Sequence, residues 1–382
     1  MNNTLTLFKK TRSHTQDLCE PLHIEDYTPQ SAEFASPPKW HLAHTSWFFE
    51  EMLLKRFSKD YKEFDASYGY LFNSYYNSLG QRIERQNRGL ITRPDVETIY
   101  EYRAHVNKAM AKLLKSSNAE DVNALTILGI NHEQQHQELL LTDLKYTFSC
   151  NPLYPQYSET NLISEQNSET GWININEGLY PVGYDGNDFC FDNELAQHRV
   201  FLEPFEISKA LVTNGEYLEF IDAGGYSNPK FWLDDGWNWI KQHKIKQPLY
   251  WIKKDNEWLY YTLSGLKQLQ PDAILSHISF YEASAFAFWK GMRLPTEFEW
   301  EIASKQLKWG QRWEWTNSAY LPYPNFKTAK GAVGEYNGKF MINIMVLRGA
   351  SAATAENHSR HTYRNFFAPE TQWQFSGIRL AK

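Results

Sequence analysis

The stretch NHEQQHQELLLTDLKY, residues 131–146, constrains this chain more than any other. It contains neither Gly nor Pro, so nothing interrupts a helix across it. His132 and His136 stand four residues apart, a spacing that places both imidazoles on one helix face. Leu125, Leu128, Gln135, Leu139, Leu140 and Asp143 continue the line as an apolar stripe with the two histidines set into it. Two imidazoles so placed are either part of a metal site or a hydrogen-bonded pair of core histidines. Imidazole suits iron, zinc, copper and nickel alike. A third histidine from another element would favour the metal.

Such a histidine lies upstream. TPQSAEFASPP, residues 28–38, is turn-rich and ends in two prolines, a signal for a helix start. KWHLAHTSWFFEEMLLKRF, 39–57, then reads as a helix with Trp40, His44, Trp47, Glu51 and Leu54 on one face. His44 sits near that apolar stripe and His41 on a neighbouring angle, so His44 is the candidate third ligand. A first helix within residues 1–35 and amphipathic runs at 94–114 and 125–148 complete a set of four. They predict an all-α helical bundle over residues 1–150, whose facing histidines converge inside. The letters HEQQH also satisfy HExxH, in which the glutamate is the general base of a zinc protease. The rest of the chain fits that reading poorly.

Between the helices, YGYLFNSYYNSLGQRIERQNRGLITRP, 68–94, carries Tyr75 and Tyr76, then Arg82, Arg85, Arg88 and Arg93. The mixture suits a segment that holds a small carboxylate as well as it suits a solvated basic loop. Residues 151–170 are polar and rich in Pro, Ser and Asn, and read as a linker. From 171 to 382 short alternating segments, Gly turns and few long helical runs predict an α+β domain.

Composition narrows the partners. Of the residues, 42% are hydrophobic and 16% aromatic, enough for a core and for a ring-lined pocket. A net charge of −6 without a basic block argues against nucleic acid. No run has the length of a membrane span, and the amino terminus lacks the apolar stretch of a signal peptide. Cys19, Cys150 and Cys190 are scattered and odd in number, offering neither a disulfide framework nor a CxxC site. These features predict a cytoplasmic protein of a reducing compartment.

Longer matches then become legible. ALVTNGEYLEFIDAGGY (210–226), ISFYEASAFAFWKGMRLPTEFEWE (278–301), WEWTNSAYLPYP (313–324), VLRGASAAT (346–354) and FSGIRLAK (375–382) resemble the formylglycine-generating-enzyme/sulfatase-modifying-factor family, a C-type-lectin-like fold. WHLAHTSWFFE (40–50) and NHEQQHQELLLTD (131–143) resemble a DinB-type bundle. HLAH, HEQQH and GIRLA in this order resemble the EgtB-like sulfoxide synthases of ergothioneine biosynthesis, over nearly the whole chain. That resemblance implies oxidative joining of hercynine, a trimethylated histidine, to a thiol, with Fe(II) as cofactor, O2 as co-substrate and a sulfoxide as product. It implies His44, His132 and His136 as iron ligands and Gln135 at the substrate imidazole. It places Tyr75 and Tyr76 near the iron, as in the subgroup that uses free cysteine, and Arg82, Arg85 and Arg88 at the donor carboxylate. Asn365, Phe366 and Phe367 match the second-domain segment near hercynine's trimethylammonium, with the site between the domains.

Two departures bear on this. Gly349–Ala355 reads GASAATA where a common family form has GGSCATP, which bears on a turn near the pocket. No cysteine follows Cys190, so the copper-binding pair of formylglycine-generating enzymes has no counterpart. The chemistry suits the residues. Three neutral imidazoles leave open positions on an octahedral ion, and the missing carboxylate makes the site more positive and better for a thiolate. A phenol nearby can supply a proton. A quaternary ammonium donates no hydrogen bond and is recognised by ring faces, about 0.5–2 kcal/mol per contact. Sister reactions on the same scaffold remain open: a γ-glutamylcysteine donor, selenium–carbon bond formation or ovothiol-type histidine chemistry. So does a ligand-binding module without catalysis.

Overall fold

The computed structural model describes residues 3–74, 76, 78, 80–117, 119–159, 169–328, 334 and 337–382. The chain divides into two compact units, and the division falls at Ser158/Glu159. Thr354–His358, far along the chain, belongs to the first unit.

The first unit is built on four helices: α1 (Asn3–Asp17), α2 (Pro38–Phe49), α3 (Val96–Ser116) and α4 (Glu120–Ser149). Pro38 opens α2, where its missing N–H costs nothing. Asp95 caps α3 by accepting from the Thr98 amide at 2.9 Å. All twelve residues of α2 are buried, so this helix is central rather than amphipathic. It runs on through a π-helical turn at Glu50–Leu54 to Phe57. Glu50, buried in that turn, accepts hydrogen bonds from Tyr61 and Tyr102.

Helix α4 starts at Glu120, ahead of the apolar run that begins at Leu125, with Glu120 and Asp121 complementing its amino-terminal dipole. Its inner face is also turned from the expected stripe. Val122, Thr126, Gly129, His132, Glu133, His136, Leu140 and Asp143 are buried, whereas Leu125, Leu128 and Leu139 are only half-buried. Two contacts set that rotation. A Cβ on Gly129 would come within 2.5 Å of the Phe49 ring, so α2 and α4 touch where only glycine fits. The Glu133 carboxylate is gripped by Arg12 of α1 at 2.9 Å, Arg103 of α3 at 2.5 Å and the Thr15 hydroxyl at 2.6 Å. Arg12 and Arg103 also reach Ser46 and Thr45 of α2, at 2.7 and 3.0 Å.

Burial pushes the Glu133 carboxyl upward, but Arg103 and Arg12 outweigh it and hold it at about 2. A carboxylate so occupied is no general base, and the zinc-protease reading of HEQQH fails on this geometry. The segment Thr354–His358 packs on the same helix. Thr354 donates to Glu138 at 2.7 Å, and His358 Nδ1 lies 3.3 Å from Gln134 Oε1.

The second unit is α+β. Among the described residues its strands form four small sheets. β1 (Trp172–Ile175), β4 (Phe205–Leu211) and β12 (Arg379–Ala381) make one, in the order β1-β4-β12. A second has the order β10-β9-β8-β11, from β8 (Trp313–Ala319), β9 (Met345–Gly349), β10 (Asn365–Phe367) and β11 (Ser376–Gly377). β2 (Gly178–Val182) and β3 (His198–Leu202) pair alone, and β5 (Trp251–Lys254), β6 (Glu257–Thr262) and β7 (Gly265–Gln268) form a meander.

Helices α5 (Asn214–Asp222), α7 (Phe280–Trp289) and α8 (Glu297–Ala303) each start with a capping box: Thr213/Glu216, Ser279/Glu282 and Thr296/Glu299. Between α5 and α7 lies α6 (Asp234–His243). One core cluster packs Ile173, Ile207, Phe205 and Leu202 around Trp300. Gly349, the first letter of the departing GASAATA, has φ +92° and would meet Trp300 at 3.2 Å with any side chain. No described helix is long and apolar enough to cross a membrane.

The Glu133 cluster yields a stability prediction. Glu133→Gln leaves two buried guanidinium groups without their counter-ion and is expected to cost about 3–5 kcal/mol. Urea unfolding checks it, and a loss below about 1 kcal/mol would show that the cluster does not hold the bundle together.

Candidate metal centre

His44 of α2 and His132 and His136 of α4 converge inside the first unit, with one ring nitrogen of each within 4.8 Å of the others. Relative exposures of 0%, 1% and 9% leave them little water. His44 lies between two indoles, Trp40 at 4.4 Å and 14° and Trp47 at 5.4 Å and 17°. His132 stacks on Phe48 at 4.6 Å. Flat rings on both sides of an imidazole remove its freedom to swing, which pre-organises the donors.

The state of each ring follows from its neighbours. Burial drives all three pKa values down: His132 to about 3, and His44 and His136 well below the ordinary value, with His132 adding repulsion to both. The rings are therefore neutral, each with one lone-pair nitrogen. His44 Nδ1 is 2.7 Å from the Phe72 carbonyl. That oxygen can only accept, so Nδ1 carries the hydrogen and Nε2 the lone pair. His44 Nε2 is 3.2 Å from His132 Nε2. His136 Nδ1 is 2.9 Å from His41 Nδ1, and His41 Nε2 is 3.2 Å from Asp143 Oδ2. Three neutral imidazoles held together, with second partners directing two of them, fit a divalent transition-metal ion. His41 has both ring nitrogens engaged elsewhere and is no member of the set.

Comparison with known proteins gives the same composition. The DinB superfamily model matches residues 7–140, and the sulfatase-modifying factor enzyme 1-like domain matches residues 158–311. The hercynine oxygenase of Mycolicibacterium smegmatis is 27% identical, over 91% of this chain and 91% of its own. That of Mycobacterium tuberculosis is 26% identical, over 73% of this chain and 76% of its own. The chain joins a DinB-type region to a sulfatase-modifying-factor-like region and is similar to hercynine oxygenases over most of its length. A formylglycine-generating enzyme from Streptomyces coelicolor is 27% identical over only 39% of this chain. Hercynine oxygenases are thus matched over most of this chain, the formylglycine-generating enzyme over less than half of it.

The other expected site residues fall in different places. Gln135 is half-buried on α4, next to the triad in sequence. Tyr76 is fully buried, its ring 5.5 Å from Trp47; Tyr75 lies outside the described residues.

The arginines separate. Arg88 is buried, donates to Ser36 at 2.8 Å and Ser74 at 2.9 Å, and lies 3.4 Å over the Trp40 ring. Arg82 reaches the Ser74 carbonyl at 2.5 Å. Arg85 is exposed and bonds the Phe34 carbonyl. Arg82 and Arg88 thus meet at Ser74.

In the second unit Asn365, Phe366 and Phe367 form β10, half-buried, with Phe366 stacked on Tyr320 at 4.1 Å and Phe367 6.0 Å from Trp373. Sequence reasoning overlooked Ser36, Ser74 and the roles of His41 and Asp143. The signal available for Asp143 was its position seven residues after His136, two turns on along one face.

Metal analysis of purified variants tests the triad. His132→Ala and His136→Ala are expected to fall well below one Fe(II) per chain, while Gln135→Ala stays near one. Full occupancy in His132→Ala would refute the assignment.

Proposed function

We propose that this chain is a hercynine sulfoxide synthase that joins hercynine to L-cysteine with O2. The observation that carries the reading is the buried set of three neutral histidines without a carboxylate, in a chain similar to hercynine oxygenases along 91% of its length. The balance is plain. The imidazole loses C–H, the thiol loses S–H, and a C–S bond forms. One oxygen atom ends on sulfur and the other leaves as water, so the two substrates supply the four electrons that reduce O2.

His44, His132 and His136 would hold Fe(II), which when bound supplies O2 activation and acidifies a thiol. The chain's own residues do the rest. Trp40, Trp47 and Phe48 keep the imidazoles aligned and the site dry. Gln135 offers an amide to the substrate imidazole. Tyr76, packed on Trp47 and Phe48, offers a phenol as proton source. Arg88, fixed by two serine hydroxyls and an indole, offers a guanidinium to the amino-acid carboxylate of cysteine, with Arg82 beside it. Phe366 offers a ring face to a quaternary ammonium, and Asn365 and Phe367 flank it.

Two measurements test this. Mass spectrometry of an aerobic mixture of Fe(II) protein, hercynine, cysteine and γ-glutamylcysteine at equal concentration should show the cysteine-derived sulfoxide in excess. Dominance of the γ-glutamyl product would reassign the donor, faster reaction of histidine than of hercynine would reassign the acceptor, and no product with any thiol would defeat the reading. Separately, Arg88→Ala is expected to raise KM for cysteine and to lower kcat/KM roughly ten- to a hundredfold, from the loss of about 1.5–3 kcal/mol of charged contact. The KM for hercynine and the iron content should stay near wild type. Loss of iron instead would mean that Arg88 acts through the Trp40–His44 stack.

A further inference from the structure

We propose that Asp143 and His41 are positioning residues. They form a carboxylate–imidazole relay that fixes which nitrogen His136 presents and balances the charge of the cation it would hold. The inference rests on reading the triad as a metal centre.

The relay begins at a group that can only accept. Asp143 Oδ2 takes the Ser36 amide hydrogen at 2.9 Å and lies 3.2 Å from His41 Nε2. His41 must therefore donate from Nε2, which leaves its Nδ1 as the lone-pair nitrogen. That nitrogen is 2.9 Å from His136 Nδ1. His136 must then donate from Nδ1, and its own lone pair falls on Nε2. One buried carboxylate thus determines, two rings away, the tautomer of a triad histidine. The Phe72 carbonyl does the same for His44 from the opposite side. Partners of this kind both orient a ligand imidazole and raise its basicity.

Charge points the same way. Asp143 is 1% exposed, and its second oxygen has no hydrogen-bond partner among the described residues. Its ion-pair partner among those residues is the His41 ring, which carries charge only when protonated and whose other nitrogen faces His136. A buried carboxylate without a cation is costly. The buried Glu133, nearly three turns earlier on α4, has two arginines. Asp143 has in their place a path of two imidazoles leading to the triad. A divalent cation there supplies the missing positive charge, so metal binding and the relay stabilise each other.

The test is Asp143→Asn. Its amide oxygen has two lone pairs and can still accept from both Ser36 and His41, as Asp143 Oδ2 does, so the variant keeps the relay's hydrogen bonds and removes its negative charge. The full-length protein is labelled with 15N-histidine for NMR of the metal-free form, and Fe(II) affinity is measured by chelator competition. In the wild type His136 should carry its proton on Nδ1. Asp143→Asn and His41→Phe should weaken Fe(II) binding roughly ten- to a hundredfold. The metal-free melting temperature of Asp143→Asn should hold or rise, and its gain on adding Fe(II) should shrink.

A merely structural role would lower metal-free stability and leave affinity unchanged, which overturns the proposal. So would an Nε2-protonated His136 in the wild type. If Asp143→Asn does not fold, His41→Phe and the wild-type tautomer still decide. Wild-type protein that takes up no divalent metal would defeat the metal-centre reading and this inference with it. Equal affinity in wild type and variants would defeat this inference alone.

Discussion

The first unit depends on one buried carboxylate. Glu133 accepts from Arg12, Thr15 and Arg103, and the two arginines pass on to Ser46 and Thr45, so four helices meet at one ion cluster. Against apolar packing of equal volume such a cluster adds little net stability, because desolvation offsets most of the Coulomb attraction. What it adds is direction. Rotating α4 would strand two guanidinium groups and a carboxylate in a dry interior. The rotation that keeps them paired turns His132 and His136 toward α2, where His44 waits.

The same dry interior explains why the histidines can act as donors. Water would protonate them near neutrality; burial and mutual repulsion keep them neutral far below it. With the charge settled, the open question is which nitrogen each ring presents. Main-chain and carboxylate acceptors answer it for His44 and, through His41, for His136. Indole and phenyl faces then hold the planes. Affinity in such a site comes from this advance arrangement as much as from the donor atoms.

The letters HEQQH show how far a motif reaches. In a zinc protease the glutamate serves the metal's water. Here the same spacing places Glu133 against Arg12 and Arg103, and its chemistry is spent on holding helices together. The arginine segment is a second case. Arg82, Arg85 and Arg88 look equivalent in one dimension, yet Arg88 is buried on Trp40 while Arg85 lies at the surface. Thr354–His358 is a third, since its partners on α4 are more than two hundred positions away.

From the sequence alone came the helical bundle followed by an α+β unit, the candidate ligands His44, His132 and His136, and the family resemblance. These are legible because periodicity, proline helix starts and i, i+4 spacing are local properties of a chain. Only the tertiary structure decided the rotation of α4, the full burial of α2, the close contact at Gly129 and the Asp143–His41–His136 relay. Each of these depends on which groups from distant segments share a water-free space. There an unpaired charge or an unsatisfied donor is costly enough to select one arrangement, and no single stretch of sequence carries that information.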